Sequence, residues 1–165
     1  MSHFDHNPLI VMSAPNGAYK TQADHAALPM TPSDLAATAK QCLDAGANML
    51  HLHIRDAQGG HSLDVQGYRN ATAVVRAAVG KEMVLQITSE AAKVYQAPAQ
   101  IAMVQALRPE AVSVGLREFD QPEIGEKGLT DFFTGLMREK VMTQVIVYDV
   151  KDLQRWQDLR QRGVV

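Results

Sequence analysis

The chain has one cysteine, Cys42, among 165 residues. An intrachain disulfide is therefore excluded, and a reducing cytoplasm is the expected setting. Aromatic residues are scarce, at 5%. No charge of one sign dominates: 16 Lys and Arg against 18 Asp and Glu leave a net charge of −2. Without a basic footprint, nucleic acid is not an expected partner. No apolar run approaches the roughly 18 residues of a membrane span. The stretch Met1 to Asn7 is polar and lacks the apolar core of a signal peptide. No Gly-x-Gly-x-x-Gly follows the first apolar run, so a dinucleotide fold has no support. No P-loop, Cys-His pair or Ser-His-Asp order is present either.

What is there is 46% hydrophobic residues, enough to build one compact domain with a core. Strand and helix signals alternate along the chain. Apolar runs at Leu9 to Ala14, Met49 to Ile54, Met83 to Ile87, Ala111 to Val114 and Thr143 to Tyr148 read as strands. Helix patterns follow each. The first opens at Thr31-Pro32-Ser33-Asp34, with Thr31 as N-cap, Pro32 at the first helical position and Gly46 at the far end. The second runs from about Asp64 to Gly80, with Tyr68, Ala71, Val75 and Ala78 on one face. Others are expected near Pro98 to Leu107, Thr130 to Lys140 and Lys151 to Arg162, with Glu118 to Gly128 as a looser stretch. Near-continuous apolar strands separated by helices predict a parallel α/β sheet. Two architectures fit: a doubly wound sheet, or about five βα units of a (β/α)8 TIM barrel, whose full length is roughly 250 residues. Residues 1–165 read as one domain.

In both architectures ligands gather at the carboxyl ends of the strands. The most informative element lies there: His51-Leu52-His53-Ile54-Arg55-Asp56. Alternate residues of a strand share a face, so the two imidazoles project together. Buried without partners they would be costly, and together they form a chelate for a divalent metal. His51 and His53 are the candidate metal ligands. Ser13, Asn16 and Tyr19 follow the first strand, Gln86, Thr88, Ser89 and Glu90 the third, Ser113 the fourth, and Tyr148 and Asp149 the fifth. Arg55-Asp56 reads equally as a structural ion pair or a catalytic one. His3, His6, His25 and His61 read as loop or tail residues with no assigned role, and Cys42 as packing on a helix face.

Several motifs occur in one order: Gly17-Ala18, Leu28-Pro29-Met30-Thr31-Pro32, Asp44-Ala45-Gly46-Ala47, His51 to Asp56, Gln86-Ile87-Thr88-Ser89 and Arg108-Pro109-Glu110-Ala111. From about Pro8 to Val165 the chain resembles the β-keto acid cleavage enzymes (3-keto-5-aminohexanoate cleavage enzyme-like), the match covering their amino-terminal part. The resemblance implies a (β/α)8 barrel and a zinc or similar divalent ion on His51 and His53. It implies a retro-Claisen-type reaction in which a β-keto acid and acetyl-CoA give acetoacetate and a new acyl-CoA. It also implies substrate contacts from Thr88 or its neighbour Ser89, from Ser113, and from position 19. The expected partners are a small β-keto acid and a CoA thioester, and the expected state is a cytoplasmic homo-oligomer.

Three departures stand out. The family often has an acid at position 19, and this chain has Tyr19, so an amino-bearing substrate is less expected. The family's Gly-Gly after strand three is Glu90-Ala91. Where the family often has Asn-x-Gly after Ser113, this chain runs on into Gly115-Leu116-Arg117-Glu118, in which Arg117 reads as an exposed salt bridge or an anion contact. The family's third metal ligand, a Glu, and its catalytic Arg and Asp come from late strands, expected beyond residue 165. Two alternatives stay open: another metal-dependent TIM-barrel hydrolase or lyase, and a non-catalytic metal-binding fragment.

Overall fold

A computed structural model describes residues 9–165, so His3 and His6 lie outside the described residues. Each expected βα unit is present. Strand β1 (Met12–Ser13) leads to α1 (Pro32–Asp44), and β2 (Met49–Leu52) is followed by a short antiparallel hairpin of β3 (Ile54–Arg55) and β4 (His61–Ser62). Then come α2 (Val65–Val79), β5 (Val84–Thr88), α3 (Ala97–Leu107) and β6 (Ala111–Gly115). The chain continues through α4 (Leu116–Phe119), α5 (Gly125–Arg138), β7 (Met142–Ile146) and α6 (Val150–Gln161).

Local chemistry sets the boundaries. Thr31 caps α1 through its side chain, and the Asp34 carboxylate returns a bond to the Thr31 amide, closing a capping box. Gly46, just after the Ala45 C-cap of α1, takes φ 98°, a left-handed conformation that a side chain would resist. Asp64 caps α2 through the amide of Gly67. The buried face of α2 is Tyr68, Ala71, Val75 and Val79 rather than Ala78, because Val79 completes the four-residue step from Val75. The first strand is shorter than the Leu9 to Ala14 expected. Below Met12 the Asn48 carboxamide takes over the pairing, accepting from Val11 N at 2.9 Å and donating to Leu9 O at 2.9 Å. The looser stretch from Glu118 holds the single turn α4 and the beginning of α5.

The main sheet has the order β1-β2-β5-β6-β7, with every neighbouring pair parallel. Strand order follows chain order and never reverses. A doubly wound sheet requires a reversal, so the barrel-type arrangement is the one formed. Leu50, Leu52, Leu85, Ile87, Val112 and Val114 face the helices and join Leu35, Tyr68, Val75 and Phe132 in the core. The other face of the same strands carries His51 opposite Gln86, and Ser113 between Thr88 and Gln144. Among the described residues, no helix is long and apolar enough to cross a membrane.

Candidate functional site

The site is built at the carboxyl ends of β2, β5 and β6. Strand β2 pairs with β5 only as far as Leu52 opposite Ile87, so His53 lies just beyond the ladder and not inside a strand reaching Ile54. The hairpin that follows explains the break: Ile54 and Arg55 leave the sheet to pair with Ser62 and His61. The backbone of His53 is held by Asn16, whose Nδ2 donates to His53 O at 2.9 Å and whose Oδ1 accepts from His53 N at 3.2 Å. Both imidazoles still point the same way, with Nε2 atoms 3.1 Å apart. Two nitrogens bound about 2.0–2.1 Å from a tetrahedral zinc stand roughly 3.3 Å apart, so the pair has the bite of a chelate. Among the described residues, no group of three or more His, Cys, Asp or Glu forms a complete metal site.

The imidazoles are embedded differently. His51 Nδ1 meets Gln86 Oε1 at 2.7 Å, and Gln86 Nε2 donates to Gln144 Oε1 at 3.0 Å. His53 is 3% exposed, and its Nδ1 is buried without a hydrogen-bond partner, 3.9 Å from Glu90 Oε2. Burial, then the neighbouring His51, His61 and Arg55, push the His53 imidazolium down to about 3. Burial also lowers His51 and His61. At neutral pH the cluster is uncharged, the state in which imidazole binds a metal.

His61 is the histidine that sequence reasoning missed. It is buried on β4, with its ring centroid 5.3 Å from that of His53. Its Nε2 donates to Glu90 O at 2.9 Å. No spacing rule points to it, because the hairpin that carries it inward has no alternating apolar pattern. Glu118 and Gln100 were likewise unsignalled. Gln100 is fully buried on α3, and its Nε2 donates to Ser89 O at 2.5 Å and to Glu118 Oε2 at 2.8 Å. Burial raises the Glu118 carboxyl above its ordinary range, opposed by bonds from Ala91 N and Gln100.

The hydroxyls separate into two kinds. Thr88 Oγ1 accepts from Ser113 Oγ at 3.2 Å and from Glu90 N at 3.0 Å, which leaves its own hydrogen free to donate. Ser89 is fully buried and its Oγ donates to Ser113 O at 2.7 Å, tying β5 to β6. Ser13 faces α1, where its Oγ accepts from Cys42 Sγ at 3.3 Å, so it stands apart from the strand-end set. Tyr19 is an exposed loop residue, and its hydroxyl is raised by partial burial and then by the Glu90 carboxylate.

Arg55 and Asp56 form no ion pair with one another. Arg55 donates to the carbonyls of Gly17, Ala18 and Lys20, at 2.6, 2.6 and 3.0 Å. Asp56 caps the hairpin through the amides of Gln58 and Gly60. Arg117 is a salt bridge, donating to Asp152 at 2.9 Å and Asp149 at 2.7 Å. Asp149 itself caps α6.

A parallel sheet in chain order, with polar groups gathered at its carboxyl edge, defines a protein of the (β/α)8-barrel type. Comparisons with known proteins agree. Two solved structures with this fold are those described as "Apo structure of ObcA" and "Ternary complex of ObcA with C4-CoA adduct and oxalate". The first has TM-score 0.63 and 16% identity, covering 83% of this chain and 33% of that one. The second has TM-score 0.65 and 15% identity, covering 83% and 34%. The chain is also 32% identical over 68 residues to the 3-keto-5-aminohexanoate cleavage enzyme of Fusobacterium nucleatum subsp. nucleatum, 41% of this chain and 25% of that protein. The beta-keto acid cleavage enzyme family matches residues 8–165, and the chain belongs to that family. It spans about a quarter of the curated relative and a third of the ObcA chains.

Proposed function

We propose that this chain carries the amino-terminal portion of a metal-dependent β-keto acid cleavage site that uses acetyl-CoA as co-substrate. In the reaction, the bond between the keto carbon and the carboxymethyl group breaks. The acyl group passes to CoA, and the carboxymethyl group joins the acetyl group to give acetoacetate. The observation that carries this reading is the convergence of the His51 and His53 Nε2 atoms in a member of this family.

A divalent ion such as zinc, when bound, supplies Lewis-acid polarisation of a keto oxygen. His51 and His53 fit it as neutral nitrogen donors. Thr88 has a free hydroxyl hydrogen to offer a substrate carboxylate, and Ser113 orients Thr88 by donating to it. Asn16 fixes the backbone from which His53 projects. Glu90, 3.9 Å from His53, and the exposed Tyr19, whose hydroxyl interacts with Glu90, offer polar groups to the distal part of a substrate. A third ligand and the acid–base residues belong to parts of the family barrel that this chain does not span. A CoA adduct in one ObcA structure supports a CoA thioester as ligand.

The test is production of acetoacetate from acetyl-CoA and a panel of β-keto acids. It is run on this chain with zinc, and on the chain fused to the remaining βα units of a family barrel. Acetoacetate from the fused protein, lost in the His51→Ala variant, is the expected result. No acetoacetate from either protein across the panel overturns the reading.

A further inference from the structure

We propose that the two histidines are not equivalent. Gln86 presets His51 as an Nε2 ligand, whereas His53 becomes one only when its proton moves from Nε2 to Nδ1, where the N–H donates a hydrogen bond to the Glu90 carboxylate. This rests on the reading that the pair binds a divalent cation.

Gln86 Nε2 donates to Gln144 Oε1 at 3.0 Å, so Gln86 turns its oxygen toward β2. That oxygen is 2.7 Å from His51 Nδ1 and can only accept, so Nδ1 carries the proton and Nε2 carries the lone pair. The His51 lone pair lies 3.1 Å from His53 Nε2. A neutral His53 meets it with an N–H, which leaves the buried His53 Nδ1 deprotonated and without a partner. In this state His53 cannot ligate through Nε2.

The structure also holds a group suited to the other tautomer. Glu90 Oε2 lies 3.9 Å from His53 Nδ1, and the Glu90 side chain is 27% exposed. Its backbone is fixed on both sides: its N–H donates to Thr88 Oγ1 and its carbonyl accepts from His61 Nε2. A carboxylate bonded to the distal nitrogen of a ligating histidine is the usual outer support of such a site. Protons balance: His53 loses one at Nε2 and gains one at Nδ1, and both imidazoles remain neutral. His61, by holding the Glu90 carbonyl, is a positioning residue at one further remove.

The experiment is two-bond proton–nitrogen correlation NMR of the chain labelled with 15N-histidine, without metal and with zinc, alongside zinc competition against a chromophoric chelator. Without metal, His51 is expected as the Nδ1–H tautomer and His53 as Nε2–H; with zinc, both are expected as Nδ1–H. Glu90→Ala should keep the metal-free tautomers and weaken zinc binding about 10–100-fold. Gln86→Met should mix the His51 tautomers. Gln144→Leu, at an exposed position, should do so without disturbing the core. An Nε2–H His51 in the metal-free protein overturns the first half. Unchanged zinc affinity in Glu90→Ala, or no zinc binding by the parent chain, overturns the second. The tautomer switch in this chain, with no acetoacetate formed by the fused barrel, leaves this inference standing and overturns the proposed reaction.

Discussion

Asn16 holds both main-chain polar groups of His53 from a loop 37 residues earlier in the chain, with its own side chain 4% exposed. The hydrogen bonds that the sheet stops supplying after Leu52 come instead from one carboxamide. Truncation strands a buried N–H and a buried C=O, each costing about 1–3 kcal/mol. Asn16→Ala is therefore expected to lower stability by roughly 2–4 kcal/mol. Its urea midpoint should fall with the slope unchanged, and a variant as stable as the parent would remove Asn16 as the anchor of His53.

The neutral histidine cluster makes stability depend on pH. Burial holds His53, His51 and His61 below the 6.5 of a free imidazole, and His53 near 3. As pH falls, the unfolded chain takes up protons first, so the stability these groups contribute is complete above about 6.5 and is lost toward the folded value. Between about pH 7.5 and pH 5, above the carboxylate range, His53 alone should account for roughly 2 kcal/mol. Urea titrations with EDTA present measure it, and a flat midpoint over that window would contradict the burial assignment.

Thr88 and Ser89 are adjacent hydroxyls with different expected phenotypes. Ser89→Ala loses one buried bond to Ser113 O, which still accepts from the Ser89 amide at 3.2 Å, so a cost of about 1 kcal/mol is expected with little change in substrate affinity. Thr88→Val removes the free donor and the acceptor for Glu90 N. In the fused barrel that carries activity, its KM for the β-keto acid should rise about tenfold. Equal effects of the two substitutions on KM would refute the division of roles.

Arg55 grips three carbonyls of the first loop with a planar fork that lysine does not reproduce. Arg55→Lys is expected to leave helix content intact while trypsin and other proteases cut near residues 17–24 several-fold faster. Mass spectrometry of the limited digest locates the cut, and an unchanged digestion pattern would show that the loop is held by other contacts.

Much of the fold was legible because its signals are local. Thr31, Asp64 and Gly46 mark helix ends by chemistry confined to a few neighbouring residues. The apolar runs mark strands, and strand alternation places His51 and His53 on one side. The hairpin of β3 and β4 was not legible, since two-residue strands carry no periodicity. Nor was the inward turn of His61, the burial of Gln100, or the position of Ser13 beneath Cys42.

The sequence by itself determined the order of βα units and a pair of imidazoles pointing together, because both follow from backbone periodicity. Only the tertiary structure decided what surrounds that pair. Gln86 reaches His51 across 35 residues of sequence, Asn16 reaches His53 across 37, and His61 reaches Glu90 across 29. These partners meet because neighbouring parallel strands carry their carboxyl ends to one edge. Burial there removes the competing water, and the hydrogen bonds formed in its absence fix each imidazole's backbone and partners.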